Sequence, residues 1–195
     1  MILYFLRHGP AGDRETWQGS DFDRPLTPDG RKRIAREAQS LRELKLVLDV
    51  IVTSPLVRAR QTAEIVAKEL RLHDALVEDE RVDTEFSLER LARLLDDHHD
   101  VDAIMLVGHE PSMSEVISLL IGGADLDLKK GSVAAVDVRG GSPLTGRLIW
   151  LASPKLLAHG VRLRDDKDRT MSHTRRSVVS DTSDAVIAPA SDSIS

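Results

Sequence analysis

The chain has 195 residues, with 27 Lys and Arg against 32 Asp and Glu, a formal charge of −5, no Cys and 3% aromatic residues. The length suits one domain that buries about two thirds of its unfolded surface, and the lack of Cys excludes a disulfide framework, thiol catalysis and Cys-ligated zinc or iron–sulfur clusters. The mildly acidic balance and sparse aromatics exclude a dedicated nucleic-acid binder, and no apolar run is long enough for a membrane span or export signal, so a cytoplasmic protein is expected.

Taken in chain order, Ile2 to Leu6 is a short apolar run that predicts a strand buried on both faces, and it leads directly into Arg7-His8-Gly9. Thr27-Pro28 supplies a helix cap and a good first helical residue, after which Ile34, Ala38, Leu41 and Leu44 recur at helical spacing. The basic run Arg31-Lys32-Arg33 falls on that helix's polar, solvated side. Val50 to Val52 predicts a second strand. A helix follows over Arg58 to Leu70, with Ala59, Thr62, Ala63, Val66 and Leu70 on one face.

Leu88 to Leu95 predicts a third helix, capped by Ser87. Asp96-Asp97-His98-His99-Asp100 is expected to be a solvated loop rather than a metal site. Ile104 to Val107 predicts a third strand, and a fourth helix starts at Ser112, with Glu115 placed as in a capping box. Val133 to Val138 and Leu148 to Leu151 predict two more strands. The alternation implies an α/β three-layer sandwich, its mostly parallel central sheet flanked by helices. The folded domain is expected over 1–164, and 165–195 is expected to be a polar, disordered tail, since Ser177 to Ser195 carries six Ser and three Asp with no Lys or Arg.

Three of the strands end in chemically useful residues: Arg7-His8-Gly9, then Thr53-Ser54-Pro55 with Arg58 one turn on, then Gly108-His109-Glu110. Ligand sites of open α/β sheets lie beyond the carboxyl ends of the strands, so these segments should converge on one crevice. A phosphoryl group suits that constellation. Arg7 and Arg58 offer forked donors that match phosphate oxygens, and a neutral imidazole can serve as nucleophile, general base or orienting partner. Gly9 lets the backbone approach a ligand closely, and the helix start after Ser54-Pro55 adds a positive dipole end.

The Arg-His-Gly tripeptide, Arg24-Pro25-Leu26-Thr27-Pro28-Asp29-Gly30, Ser54-Pro55-Leu56-Val57-Arg58-Ala59-Arg60-Gln61-Thr62-Ala63 and Val107-Gly108-His109-Glu110-Pro111 together resemble the histidine phosphatase superfamily, specifically its SixA-like phosphohistidine phosphatases. The resemblance spans Met1 to Leu151 and implies a phosphoglycerate-mutase-like fold. By analogy His8 is the nucleophile that becomes phosphorylated, and Arg7, Arg58, His109 and Gly9 form the phosphate pocket, with no metal or cofactor. Glu85, from Val82-Asp83-Thr84-Glu85, is the first candidate proton donor and Asp83 the second, the alternative being a solvated loop carboxylate. An imidazole leaving group would make a strong acid dispensable.

The expected substrate is a phosphorylated protein carrying phosphohistidine, because the short span from Arg58 to His109 leaves no room for the helical cap of phytase-like branches. The alternative is a small-molecule phosphatase or phosphoglycerate-mutase-like enzyme, with Arg14, Arg24 or Arg60 holding a second anionic group. A non-catalytic phosphate-binding scaffold is the third reading.

Overall fold

The computed structural model describes residues 1–158. The expected tail, 165–195, and the last residues of the expected domain, 159–164, lie outside the described residues.

A six-stranded sheet forms the centre. Its strands are β1 (Ile2–Arg7), β2 (Val50–Thr53), β3 (Leu76–Glu78), β4 (Ala103–Gly108), β5 (Val133–Arg139) and β6 (Thr145–Ala152), in the spatial order β3-β2-β4-β1-β5-β6. β3, β2, β4 and β1 are mutually parallel, β5 runs against β1, and β6 runs against β5. All strands but β5 therefore point the same way, as the alternating pattern of the sequence implies.

Strand periodicity sorts the core into two layers. Leu3, Phe5, Val52, Ile104 and Leu106 face one side, where they meet Leu91 and Leu94 of α3 (Leu88–Asp97) and Met113, Val116 and Ile117 of α4 (Ser112–Leu120). Their neighbours Leu6, Ile51, Met105 and Val107 face the other side, against Ile34, Ala38 and Leu41 of α1 (Pro28–Glu43) and Ala59, Ala63 and Val66 of α2 (Val57–Leu70). Every residue of β2 and β4 is buried, which is why those strands read as unbroken apolar runs. Phe5 is fully buried between the sheet and the layer of α3 and α4, and Phe5→Ala would cost about 3–5 kcal/mol, a large share of a typical domain's stability.

Local signals set most of the boundaries. Thr27 caps α1 by accepting from the Gly30 amide, and Ser87 caps α3 by accepting from the Arg90 amide. α2 stops where Arg71 turns left-handed at φ 61°. The capping box expected at Ser112 does not form. Pro111 occupies the cap of α4, and the Ser112 hydroxyl instead donates back to the His109 carbonyl at 3.1 Å. β3 lacks a sequence signal because it is three residues long, sits at an edge and exposes Val77. β6 runs further than Leu148 to Leu151 because its other residues alternate between exposed and half-buried. Among the described residues, no helix is long and apolar enough to cross a membrane.

Candidate active site

β1 and β4 lie side by side, with Arg7 in register with Gly108, so the residues just past them emerge together. The rings of His8 and His109 stand 5.2 Å apart, and both side chains are buried. Arg58 reaches the same place from the first turn of α2, and Arg7 from the last position of β1. These four residues line the floor of a cleft of about 840 Å³ at the carboxyl ends of the strands.

The hydrogen bonds fix the proton on the His8 ring and pair the His109 ring with a hydroxyl. His8 Nδ1 lies 2.8 Å from the Gly9 carbonyl, which can only accept, so Nδ1 carries the proton and Nε2 keeps its lone pair. His109 Nε2 lies 2.8 Å from Ser54 Oγ, and that oxygen already accepts from the Leu56 amide at 3.3 Å. Ser54 Oγ has a second lone pair, so His109 carries its proton either on Nε2, donating to Ser54, or on Nδ1, with the Ser54 hydroxyl donating to Nε2; the second tautomer gives the ring a free donor. Among the described residues, His109 Nδ1, Arg7 Nε and Arg58 Nε are buried without a hydrogen-bond partner. All three nitrogens belong to residues of the cleft floor, and an oxyanion there would satisfy the two guanidinium donors and, in its Nδ1–H tautomer, His109.

Electrostatics agree with that assignment. Burial drives the His8 ring down to about 3, against the hydrogen bond to Gly9 and with help from His109, Arg58 and Arg7. Burial and Arg58 likewise bring His109 to about 3. Both imidazoles are neutral at physiological pH, so His8 Nε2 is available as a nucleophile.

The guanidiniums are held rather than free. Arg7 Nη1 donates to the Leu128 carbonyl at 2.6 Å. Arg58 Nη1 donates to the Asp21 carbonyl at 2.8 Å, and its Nη2 meets Asp21 Oδ2 at 3.1 Å. Arg24, itself buried, donates Nε to Asp21 Oδ1 at 2.9 Å and Nη1 to the Gly12 carbonyl at 2.7 Å. Burial pushes the Asp21 carboxyl upward, but the Arg24 hydrogen bond and the nearby Arg58 outweigh it, so Asp21 stays below the usual carboxylate range and is charged.

The remaining motif residues tie these pieces together. Thr62 accepts from the Gly9 amide at 3.1 Å, and Gln61 accepts from the Leu26 amide at 2.9 Å, pinning α2 to the segments around His8 and Arg24. Gly9 itself does not line the cleft. Its lack of a side chain serves packing instead, because a Cβ there would sit 2.5 Å from Ile34 Cγ1.

The structure does not bring Glu85 or Asp83 to the cleft. The Glu85 side chain is 79% exposed and pairs with Arg90 at 3.1 Å, while Asp83 Oδ1 accepts from Arg90 at 2.7 Å and from the Glu85 amide at 2.7 Å. From that loop only Thr84 lines the cleft. The carboxylates that do line it are Asp13, Asp21 and Glu110, and burial raises the Glu110 carboxyl above its ordinary range. Arg60 also lies outside the lining, paired with Glu64 and Glu78, whereas Arg14 and Lys130 stand at the exposed rim.

In the Asp96–Asp100 run, His99 Nδ1 donates to the Asp96 carbonyl at 3.0 Å and Asp97 pairs with Arg81 at 2.7 Å. Sequence reasoning passed over Ser54 as a hydrogen-bond partner of His109 and did not single out Asp21, Glu110 or Lys130. Ser54 and Glu110 lie inside quoted motifs. Asp21 is three residues before the Arg24 motif, a spacing that means nothing until the chain folds back.

Two His and two Arg meet beyond the carboxyl ends of parallel strands in a three-layer α/β fold, a set of side chains able to bind an oxyanion of the phosphate class. Residues 3–86 match the family model described as Histidine phosphatase superfamily (branch 1). An uncharacterized protein of Picosynechococcus sp. (strain ATCC 27264 / PCC 7002 / PR-6) is 39% identical over 168 residues, covering 80% of this chain and 99% of the relative. The chain belongs to the histidine phosphatase superfamily. Among solved structures it is similar to the protein histidine phosphatase SixA complexed with tungstate, with TM-score 0.72 and 24% identity over 80% of this chain and 99% of that one. A SixA-type protein from Agrobacterium tumefaciens superposes with TM-score 0.65 at 25% identity, covering 78% of this chain and 98% of its own. Family and fold together support phosphatase activity.

Proposed function

We propose that this protein is a phosphohistidine phosphatase of the SixA type that acts on a phosphorylated protein in the cytoplasm, through a phosphohistidine intermediate on His8. The observation that carries the proposal is the tautomer lock: Gly9 holds the proton on Nδ1 and leaves Nε2 bare on a ring that lines the same cleft as Arg7 and Arg58.

In the first step His8 Nε2 forms a bond to phosphorus as the donor's N–P bond breaks. The donor imidazole, protonated at its other nitrogen, leaves as a neutral ring with the electron pair of the broken bond. Arg7, Arg58 and, in its Nδ1–H tautomer, His109 neutralise and bind the phosphoryl oxygens, where charge is concentrated as the bonds reorganise. The His8 Nδ1–H bond to Gly9 then supports the positive charge that phosphorylation places on the ring. In the second step a water oxygen attacks phosphorus, the N–P electron pair returns to His8, and orthophosphate and a proton are released. An imidazole leaving group demands less of a general acid than an alkoxide, which fits a cleft that Glu85 does not enter.

Turnover should be indifferent to chelators. The test is a panel of phosphohistidine protein, phosphoglycerate and an aryl phosphate, compared by kcat/KM. A clear preference for phosphohistidine is expected, and a preference for phosphoglycerate would overturn the substrate assignment in favour of a small-molecule phosphatase. That second reading has one structural argument behind it, the cationic rim formed by Arg14 and Lys130.

A further inference from the structure

Lys130 lies on the turn between α4 and β5, and its side chain lines the same cleft as Arg7, Arg24 and Arg58. Each of those arginines has a protein acceptor: Leu128 for Arg7, Asp21 and Gly12 for Arg24, and Asp21 for Arg58. Lys130 has none. Among the described residues its ammonium makes no ion pair or hydrogen bond, and Asp13 is the acid whose charge reaches it. Partial burial, together with Arg7, Arg24 and Arg58, pulls its ionisation downward, so its charge sits there against repulsion.

The backbone that carries Lys130 is firmly placed. Arg33 Nη2 donates to the Lys130 carbonyl at 3.3 Å, the Gly131 amide donates to the Arg7 carbonyl at 3.1 Å, and the Ser132 amide donates to the Lys129 carbonyl at 2.7 Å. Gly131 adopts φ +86° and packs against the Glu37 carboxylate, which occupies the space a Cβ would need, so the turn accepts no ordinary residue there. Arg33 and Glu37 are themselves paired at 2.9 Å behind the turn. The fold thus spends a buried carboxylate, an arginine and a left-handed glycine on holding an unpaired cation over the cleft.

Depth decides what that cation meets. His8, His109 and Arg58 are buried at the floor, where the transferred phosphoryl group belongs, while Lys130 is exposed at the rim, with Arg14 also on the exposed lining. Lys130 lines the same cleft as His8, so it is within the space open to the rest of a substrate whose phosphoryl group reaches His8. We propose that Lys130 is a specificity-determining residue that binds a second anionic group of the substrate, a carboxylate lying next to the phosphoryl-bearing group. This rests on the phosphatase reading of the floor. The carboxylate has two chemical sources, an acidic side chain flanking the phosphohistidine of a protein or the acid group of a small phosphorylated carboxylic acid.

The experiment measures kcat/KM for four donors: phosphohistidine peptides with acidic, neutral and basic flanks, and a small phosphorylated carboxylic acid. Each is run on the full-length wild type and on Lys130→Arg, Lys130→Met and Lys130→Glu. Wild type should prefer the acidic over the neutral flank by about fivefold, the size of an exposed charge pair, mainly through KM. Lys130→Arg should keep that preference, Lys130→Met should lose it, and Lys130→Glu should turn it toward the basic flank. A purely structural lysine would not reverse a preference in this way.

If the peptides turn over without regard to flank while the small acid alone depends on Lys130, the proposal stands with the small acid as the source of the carboxylate, and the phosphohistidine assignment falls if the small acid also has the higher kcat/KM. Turnover equally insensitive to Lys130 with all four donors overturns the proposal and leaves the phosphatase reading intact. No turnover of any donor by wild type overturns that reading, and this inference with it.

Discussion

The floor and the rim of the cleft are built in different ways. The floor consists of residues fixed by the ends of β1 and β4 and the first turn of α2: Arg7, His8, His109 and Arg58. Arg7, His8 and His109 belong to or adjoin the central strands β1 and β4, and Arg58 sits in the first turn of α2 with its guanidinium held by Asp21, so each side chain has little freedom. The rim is drawn from loops, with Asp13, Arg14, Asp21 and Arg24 on the segment between β1 and α1 and Lys130 on the turn before β5. It is assembled by side chains that grip each other, Asp21 between Arg24 and Arg58 above all. The floor is suited to handling a phosphoryl group, which is the same in every substrate, and the rim to choosing among substrates.

The contrast can be broken or sharpened by substitution, beginning with the largest effect. His8→Asn should lower turnover by about three orders of magnitude or more, because it removes the nucleophile, with fold retained by circular dichroism. Arg58→Ala should lower kcat/KM by about a hundredfold, the usual cost of one matched donor to a reacting oxyanion. Asp21→Asn leaves Arg58 in place but loosens its guanidinium, and kcat/KM should fall by about tenfold. A loss as large as that of Arg58→Ala would make Asp21 part of the floor. Glu85→Gln should change kcat/KM by less than about twofold on phosphohistidine and on aryl phosphate alike, since an exposed pair with Arg90 is worth little. A large loss confined to the aryl ester would return Glu85 to the role of proton donor.

The same contrast has a pH signature in stability. Burial holds His8 and His109 near 3, below their unfolded value, so the stability linked to them is complete above about 6.5 and is lost as pH falls toward 3. Glu37, behind the rim turn, is raised by burial to about 7 despite Arg33, so its contribution is complete below about 4.5 and is lost as pH rises through 7. The difference in Tm between Glu37→Gln and wild type should therefore grow in favour of the variant from pH 5 to pH 8. A difference that stays constant would mean that Glu37 does not titrate between pH 5 and pH 8 in the folded protein.

How much of this was legible in the sequence follows from the same division. β2 and β4 announce themselves as apolar runs because every residue is buried, and β1 because its side chains alternate between the two core layers; Arg7, His8 and His109 end or follow β1 and β4 directly, so the local order of residues already places them. The roles of Thr62 and Gln61 were present as motif letters, but their function as ties from α2 to Gly9 and Leu26 appears only in three dimensions. The rim was not legible. Asp21 faces Arg58 across 37 residues, and Lys130 joins Arg7 across more than a hundred, separations over which no periodicity carries a signal. Arg33 looked like part of a solvated basic run, yet it holds the Lys130 carbonyl and Glu37. Glu85 is a candidate only by family resemblance, as an acidic residue in the loop after the second helix, and Arg90, in the first turn of α3, pairs with it outside the cleft.

The central claim is that His8 carries the phosphoryl group between the two steps. The direct measurement is to mix the protein with radiolabelled phosphohistidine donor, quench at alkaline pH, where phosphohistidine survives, and map the label by peptide mass spectrometry. The account predicts a transient label on the peptide containing His8, at Nε2, that disappears as orthophosphate accumulates and is absent from His8→Asn. Orthophosphate release at the wild-type rate with no label at His8, or with His8→Asn still active, would contradict it.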